Sequence, residues 1–517
     1  MSNIKTTPEQ EAFINALLEK KPVFLSARAG TGKTTTIRLG VEALLERGAI
    51  NPRDICAVAF NKSNQEDLTK ALPTDCKVAT LHSLGYQTLK SFLPRLELKS
   101  DKLFELTRAE GFKGKNARDT FAATMKLVSA AKNWGLVPNQ GGFFKKSLIE
   151  NSPKTWLELQ EYFELWDADL EKARNILLKS NEDAIKKREI DFDDMVYLPV
   201  AFGLKLFSAE FLIVDEAQDL SPLNLELLRT SPAKIWYVGD PYQTIYSWRG
   251  ASADVVESLG LPVLPLTNCW RCSGNIIREA KQLVADIRTE NPDGERVKKL
   301  EFLPEFSKRN PATILGRRNA DLIRLALKMR RENLRICILG RDFTKMLTGI
   351  LAKLKGTTSK QLRESLSEWA RKMSDAYPHQ SSEINDYAGS LNAILSECSG
   401  AREAEKLINL LFTDKPTDDS WILSTIHRVK GKEFKEVYIL DWTGKNLNQP
   451  WQRKEDKNLR YVAITRAKER LYIIAESAWN ESRAAAIEKT LAGNSGIIFS
   501  EDGELLSGGE SGGGLWD

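Results

Sequence analysis

One stretch, Phe24-Leu25-Ser26-Ala27-Arg28-Ala29-Gly30-Thr31-Gly32-Lys33-Thr34, restricts what this chain can fold into more than any other. The apolar run at 22–25 predicts a short buried strand. Ile37, Val41, Leu44 and Leu45 then fall on one face of a helix predicted over 35–46. A loop between such a strand and helix must turn tightly enough to aim several backbone N–H groups at one anion, which Gly30 and Gly32 allow. Lys33 can then reach the β- and γ-phosphates of a nucleotide, and the Thr34 hydroxyl can ligate Mg²⁺. The contacts expected to a phosphate chain are thus Ala29, Gly30, Thr31, Gly32, Lys33, Thr34 and Thr35. The strict pattern opens on Gly where this chain has Ala27.

Partners for such a loop come from further strands, whose polar ends would line one edge of a parallel sheet. Residues 54–60 read as a second buried strand, running into Asn61 and a helix ending near Leu72. Residues 77–81 read as a third, from Lys77 through Thr80, ending in a polar loop at His82 and Ser83. Phe60 at that edge can stack on a base or fill the core. Phe211-Leu212-Ile213-Val214 closes on Asp215-Glu216-Ala217-Gln218-Asp219. Abutting carboxylates at a strand tip suit phosphoryl chemistry, with Asp215 holding Mg²⁺ and Glu216 taking a proton from water. After a strand at 234–238, Gln243 is placed to sense a γ-phosphate. Tyr246, Trp248 and Arg249 follow, as stacking on unpaired bases requires. Upstream, the Gln10 amide can donate and accept at once, which suits the N6/N7 edge of adenine. A surface glutamine at a helix start has the same local pattern.

Composition narrows the partners. The chain has 517 residues, room for three or four domains. A net charge of +5 permits nucleic-acid binding without requiring it. Lys113 and Lys115 with Arg118, and Lys145 with Lys146, can touch a phosphate backbone or form a solvated face. No apolar run is long enough to span a bilayer, residues 1–10 are no signal peptide, and the six Cys are scattered, so no membrane role and a cytoplasmic location are expected. Cys269 and Cys272 form a CxxC with no second Cys or His pair nearby. They read as packing residues, with a metal or redox role as the alternative.

In their order, these residues resemble a superfamily 1A DNA helicase of the UvrD/Rep type, closest to the F-box DNA helicase branch but without the F-box. The resemblance runs from Gln10 to about Ala475. Asn268-Cys269-Trp270-Arg271-Cys272-Ser273 resembles the motif in which an aromatic ring stacks on adenine and an Arg reaches the γ-phosphate, with Trp270 where Tyr is usual. Residues 314–320 resemble a strand end that contacts DNA, implying roles for Arg317 and Asn319. In Ser424-Thr425-Ile426-His427-Arg428-Val429-Lys430-Gly431-Lys432-Glu433, the resemblance brings Thr425 and His427 to DNA and Glu433 near the ribose. Arg466, in Tyr461-Val462-Ala463-Ile464-Thr465-Arg466, would be a second arginine finger beside Arg271. Phe60, Asn61, Thr80 and His82 complete the implied DNA contacts.

The fold implied is α/β, with two RecA-like parallel-sheet motor domains, each carrying a mainly helical insertion. Domain 1A would take residues 1–84 and 190–265, insertion 1B 85–189, domain 2A 266–340 and 421–500, and a short insertion 2B 341–420. Residues 501–517, acidic and rich in Gly and Ser, would be a disordered tail or a tether for a protein partner. The implied activity is ATP- and Mg²⁺-dependent movement, 3′→5′, on single-stranded DNA, with unwinding at single/double-strand junctions in replication, repair or recombination. The opposite-polarity branch usually has Gln-Gly where this chain has residues 430–434. The alternative is a DNA-stimulated ATPase subunit of a nuclease-paired antiviral complex, with little unwinding of its own.

Overall fold

The strands at 24–27, 55–59 and 211–214 are short and buried along their whole length, as a parallel sheet covered by helices on both sides requires. The computed structural model describes residues 6–479 except 49, 114–116, 140, 164, 207–208, 246–257, 309, 377–380, 413–415 and 443–449, together with 498–499 and 505–507. In chain order the first eight strands are β1 (Phe24–Ala27), β2 (Ile55–Ala59), β3 (Lys77–Thr80), β4 (Glu97–Leu98), β5 (Glu189–Ile190), β6 (Phe211–Val214), β7 (Lys234–Gly239) and β8 (Val263–Leu266). Six of them make one parallel sheet in the order β3-β2-β6-β7-β1-β8. Alternation along β6 shows how it is held. Phe211 and Ile213 pack with Phe13, Leu25, Ile37 and Trp236 on one face. Leu212 and Val214 pack with Val58, Leu84 and Tyr197 on the other. Each such buried aliphatic side chain contributes about 1.5–3 kcal/mol.

A second six-stranded parallel sheet follows. It comprises β9 (Lys298–Leu300), β10 (Thr313–Gly316), β11 (Ile336–Ile338), β12 (Trp421–Thr425), β13 (Phe434–Leu440) and β14 (Ala467–Ile474), ordered β11-β12-β10-β13-β14-β9. The architecture is thus α/β, with parallel sheets in two lobes. Four helices, Arg341–Leu351, Ser359–Ala376, Ser381–Ser396 and Ala401–Leu411, lie between β11 and β12.

Several local expectations shift. The strand predicted at 22–25 begins two residues later, at Phe24, whose N–H bonds Pro262 O at 2.9 Å. Pro22 has no N–H to give the ladder. The third strand stops at Thr80, whose hydroxyl accepts the Ser83 N–H at 3.2 Å and caps the helix Leu81–Phe92. His82 and Ser83 therefore open a helix rather than a loop. That helix runs straight through the expected 84/85 boundary. It presses on the helix Asp194–Ala201 so closely that a Cβ on Gly85 would sit 2.1 Å from Met195 O. The 189/190 and 265/266 boundaries likewise fall inside β5 and β8.

Between those points stand the helices Lys102–Ala109, Ala117–Asn133, Pro153–Tyr162 and Leu170–Lys186. They are tied back by the β4–β5 pair and by two buried lysines. Lys102 Nζ is 2.7 Å from Asp194, and Lys132 Nζ is 2.7 Å from both Asp191 and Asp194. Past residue 479, strands Ile498–Phe499 and Leu505–Ser507 pair antiparallel across the expected 500/501 boundary, and the rest of 501–517 lies outside the described residues. Among the described residues no helix is long and apolar enough to cross a membrane.

Candidate functional site

β1 delivers the glycine loop to the C-terminal edge of the first sheet. Gly30 (φ +69°) and Gly32 (φ +85°) are both left-handed, a conformation that side chains resist. Gly32 is the N-cap of the helix Lys33–Glu46 and has no side chain to offer, so the first-turn N–H groups stay available to an anion. Thr34 and Thr35 stand half-buried on that turn, and the buried Thr31 hydroxyl donates to Arg28 O at 2.7 Å. Gln10 is brought beside the loop, 5% exposed. Its Oε1 accepts the Thr7 N–H at 3.0 Å in a capping box, and its Nε2 donates to Thr36 Oγ1 at 3.2 Å.

β6 brings the carboxylates alongside. Lys33 Nζ bonds Glu216 Oε2 at 2.7 Å, with both side chains about 85% buried (14% and 15% exposed). Glu216 itself is left-handed (φ +52°), a strain of order 1–3 kcal/mol that turns its carboxylate toward Lys33. Burial alone would raise Glu216, but Lys33, Lys430 and Gln218 together hold it down at about 2. Burial and the adjacent Glu216 push Asp215 up to about 6. Two neighbouring carboxylates forced apart in this way fit a divalent cation at Asp215, which would relieve their repulsion.

Gln218, which sequence reasoning passed over, joins these groups to β7. Its Nε2 donates to Glu216 Oε2 at 2.7 Å, and its Oε1 accepts the Asp240 N–H at 2.9 Å. Gly239 is needed at this crossing, since a Cβ there would come within 2.4 Å of Gln218 Oε1. Gln243, 5% exposed, donates from Nε2 to Asp240 Oδ2 at 2.8 Å.

The second lobe closes directly on the loop. A Cβ on Gly30 would meet Arg271 Cβ at 2.6 Å, the Trp270 N–H bonds Gly30 O at 2.9 Å, and the Ala29 N–H bonds Tyr461 Oη at 2.9 Å. Trp270 is 48% exposed. Arg271 Nε lies 2.5 Å from Glu433 Oε2, and Glu433 also pairs with Lys468. Arg466 is buried, its guanidinium bonded to Val462 O, Lys432 O and Thr465 Oγ1. Burial and the nearby Arg271 lower its pKa to about 10, and Glu216 lies close enough to oppose that shift. Two further contacts between lobes had no signature in the sequence. Arg28 grips Asp286 through two bonds of 2.8 and 2.5 Å and stacks on Tyr242 at 4.8 Å. Lys430 Nζ reaches Asp219 Oδ1 at 2.8 Å, Asp219 Oδ2 at 2.7 Å and Gln243 O at 2.7 Å.

The residues expected at DNA scatter along the same sheet edges. Phe60, half-buried, shares a small cavity with His82 and Asp215, while Asn61 is exposed and caps the helix Lys62–Ala71. In the second lobe Arg317 Nη1 bonds Asp456 at 2.7 Å, and Asn319 Nδ2 bonds Asp386 at 2.9 Å. Thr425 ends β12 with 7% exposure. Burial, Arg317 and Lys430 lower His427 to about 4, so its imidazole is neutral at physiological pH. Tyr246, Trp248 and Arg249 lie outside the described residues.

Residues 6–260 match the UvrD/REP helicase N-terminal domain, and residues 351–478 the UvrD-like helicase C-terminal domain. Similar proteins include the ATP-dependent DNA helicase Rep of Buchnera aphidicola subsp. Baizongia pistaciae, 29% identical over 51% of this chain and 41% of the relative. The F-box DNA helicase protein 1 of Schizosaccharomyces pombe is 26% identical over 96% of this chain and 60% of its own length. The ATP-dependent DNA helicase Rep of Escherichia coli (strain K12) is 28% identical over 51% of this chain and 41% of its own. The chain thus spans about two fifths to three fifths of the length of these curated relatives. With both domain families matched in order, this chain belongs to the UvrD/Rep helicase family.

Proposed function

We propose that the chain is an ATP-dependent DNA helicase or translocase that moves 3′→5′ on single-stranded DNA and unwinds duplex at single/double-strand junctions. The observation that most supports this is the sharing of one cleft by Lys33, Asp215 and Glu216 of one lobe with Arg271 and Arg466 of the other. The uncapped helix start, Lys33 and residues 29–35 would bind the triphosphate, Trp270 and Gln10 the base, and Glu433 the ribose side. Thr34 and Asp215 would hold Mg²⁺, which offsets phosphate charge when bound.

Lys33 pairs with Glu216, so phosphate oxygens and Glu216 compete for one ammonium. Losing Lys33 would lift Glu216 from about 2 toward the ordinary carboxylate range, still oriented by Gln218, and make it a stronger base for a water proton. Arg271 and Arg466 would be drawn to charge developing on the γ-phosphoryl group. The bonded series Glu216–Gln218–Asp240–Gln243–Lys430 then runs from the reacting end toward the segment bearing Thr425 and His427. DNA would pass over Phe60, Asn61, Thr80 and His82 of one lobe and Arg317, Asn319, Thr425 and His427 of the other. The reading includes a cytoplasmic setting, consistent with six free, buried thiols.

ATPase measured with and without single-stranded DNA, together with strand displacement on substrates carrying a 3′ or a 5′ tail, tests the proposal. Stimulation by DNA and unwinding from the 3′ tail are expected. Activity from the 5′ tail alone would reverse the polarity. Stimulation without any displacement would favour the ATPase-subunit reading.

A further inference from the structure

Beyond β7 the chain of the first lobe enters the second. Tyr242 and Ile245 join an apolar cluster that includes Leu315, Val437, Leu459 and Val462. Ile245 is fully buried there, and the Tyr242 ring meets the Tyr461 ring edge-on, with centroids 6.3 Å apart. The main chain of this turn is held from the second lobe as well. Lys430 Nζ bonds Gln243 O at 2.7 Å, and Asn458 Nδ2 donates to Thr244 O at 2.9 Å. Two consecutive carbonyls of one lobe are thus fastened by two side chains of the other. The Gln243 amide, by contrast, donates to Asp240 Oδ2 at 2.8 Å in its own lobe. Gln243 is therefore held at its side chain by the first lobe and at its carbonyl by the second, and any shift between the lobes strains one hold or the other.

Asn458 is buried on the helix Pro450–Ile464, between β13 and β14 in the chain. Two positions earlier on that helix, Asp456 accepts Arg317 Nη1 at 2.7 Å and Trp442 Nε1 at 2.8 Å. Residues two apart on an α-helix point about 200° apart. Asp456 and Asn458 therefore leave opposite sides of one rod, the first toward the end of β10, the second toward the turn that carries Gln243. A displacement of Arg317 is passed through the rod to Thr244 without any side chain having to change partner.

We propose that Asn458 is a positioning residue, which fastens the 241–245 turn to the second lobe so that DNA seated at Arg317 sets where Gln243 stands against the γ-phosphate. The role rests on the proposed function, in which Arg317 touches DNA and Gln243 the nucleotide. Asn458 touches neither and acts through the Thr244 carbonyl. Removing its donor leaves that carbonyl short of a partner and lowers the occupancy of the fastened turn by about tenfold.

Asn458→Asp keeps the shape and puts an acceptor where the donor stood. Asn458→Leu, which keeps the bulk and removes the polarity, serves should the first fold poorly. In the full chain, hydrogen exchange is followed on peptides spanning 241–245, and kcat and KM for ATP are measured with and without single-stranded DNA. Exchange over 241–245 should quicken about tenfold while β6 and β7 keep their protection. DNA-stimulated kcat should fall about tenfold with KM for ATP held within about threefold, because no nucleotide contact is removed. Unchanged exchange over 241–245 would overturn the proposal, as would faster exchange with unchanged stimulated kcat. Faster exchange throughout both lobes with a matching rise in KM would also overturn it, since that is the mark of a general loosening. Absence of ATPase or of DNA stimulation in the parent chain would instead defeat the proposed function, and exchange would still decide whether Asn458 holds the turn.

Discussion

Replacing Lys430 by Met keeps most of the stem and removes one of the charges that join the lobes. Asp219, its partner, is 4% exposed, and burial raises it to about 6 even with Lys430 opposing. Lifting that group from an unfolded value of about 3.9 already costs about 3 kcal/mol, at about 1.4 kcal/mol per unit. Without the ammonium its pKa climbs past the assay pH, and the acid takes a proton rather than remain a bare buried charge. At pH 7.5 the added cost is then capped at about 2 kcal/mol, from about 1.5 further units, and the lost bond to Gln243 O adds about 1 kcal/mol. A folded pKa above the unfolded one destabilises, and the penalty accrues as pH rises from the unfolded value until the folded value is reached. In the parent chain it stops growing near pH 6, and in Lys430→Met it keeps growing. Urea unfolding at pH 5.5 and 7.5 should therefore show a deficit that rises from about 1 to about 3 kcal/mol. The same deficit at both pH values would refute the ion-pair account.

Three other outcomes follow from the geometry. Glu216→Gln should still bind nucleotide yet lose about 10²–10⁴-fold in turnover, measured by steady-state ATPase, and surviving hydrolysis would remove Glu216 as the base. Arg28→Ala and Asp286→Ala should be non-additive in a denaturant double-mutant cycle by about 0.5–3 kcal/mol, because the pair is bonded twice, and simple additivity would show the grip absent in solution. Single-stranded DNA affinity, followed by fluorescence anisotropy, should fall linearly in log–log form with added salt, and a flat profile would argue against phosphate contacts.

What could be read in advance was whatever local sequence must encode. The anion cradle requires glycines at fixed offsets, and Phe211–Val214 is an apolar block between polar runs, so the loop and β6 were legible. Pairing between distant segments was not. Arg28 and Asp286 are 258 residues apart, Asp219 and Lys430 211, and Ala29 and Tyr461 432, and nothing near any of them reports its partner. The role of Gln218 has no local signature, since a glutamine bridging two buried groups has the same letter as one on a surface. By polarity alone His82 reads as loop, whereas the Thr80 cap makes the segment helical.

Two main-chain groups of the phosphate loop are already engaged by the opposite lobe, the Ala29 N–H by Tyr461 Oη and the Gly30 carbonyl by the Trp270 N–H. Only the first of these could serve an anion, so a nucleotide that takes the Ala29 N–H must displace Tyr461 Oη. Its apparent dissociation constant is the intrinsic one divided by the fraction of molecules standing ajar. Substitutions that loosen this latch, Tyr461→Phe among them, would sharpen capture without touching a single ligand contact.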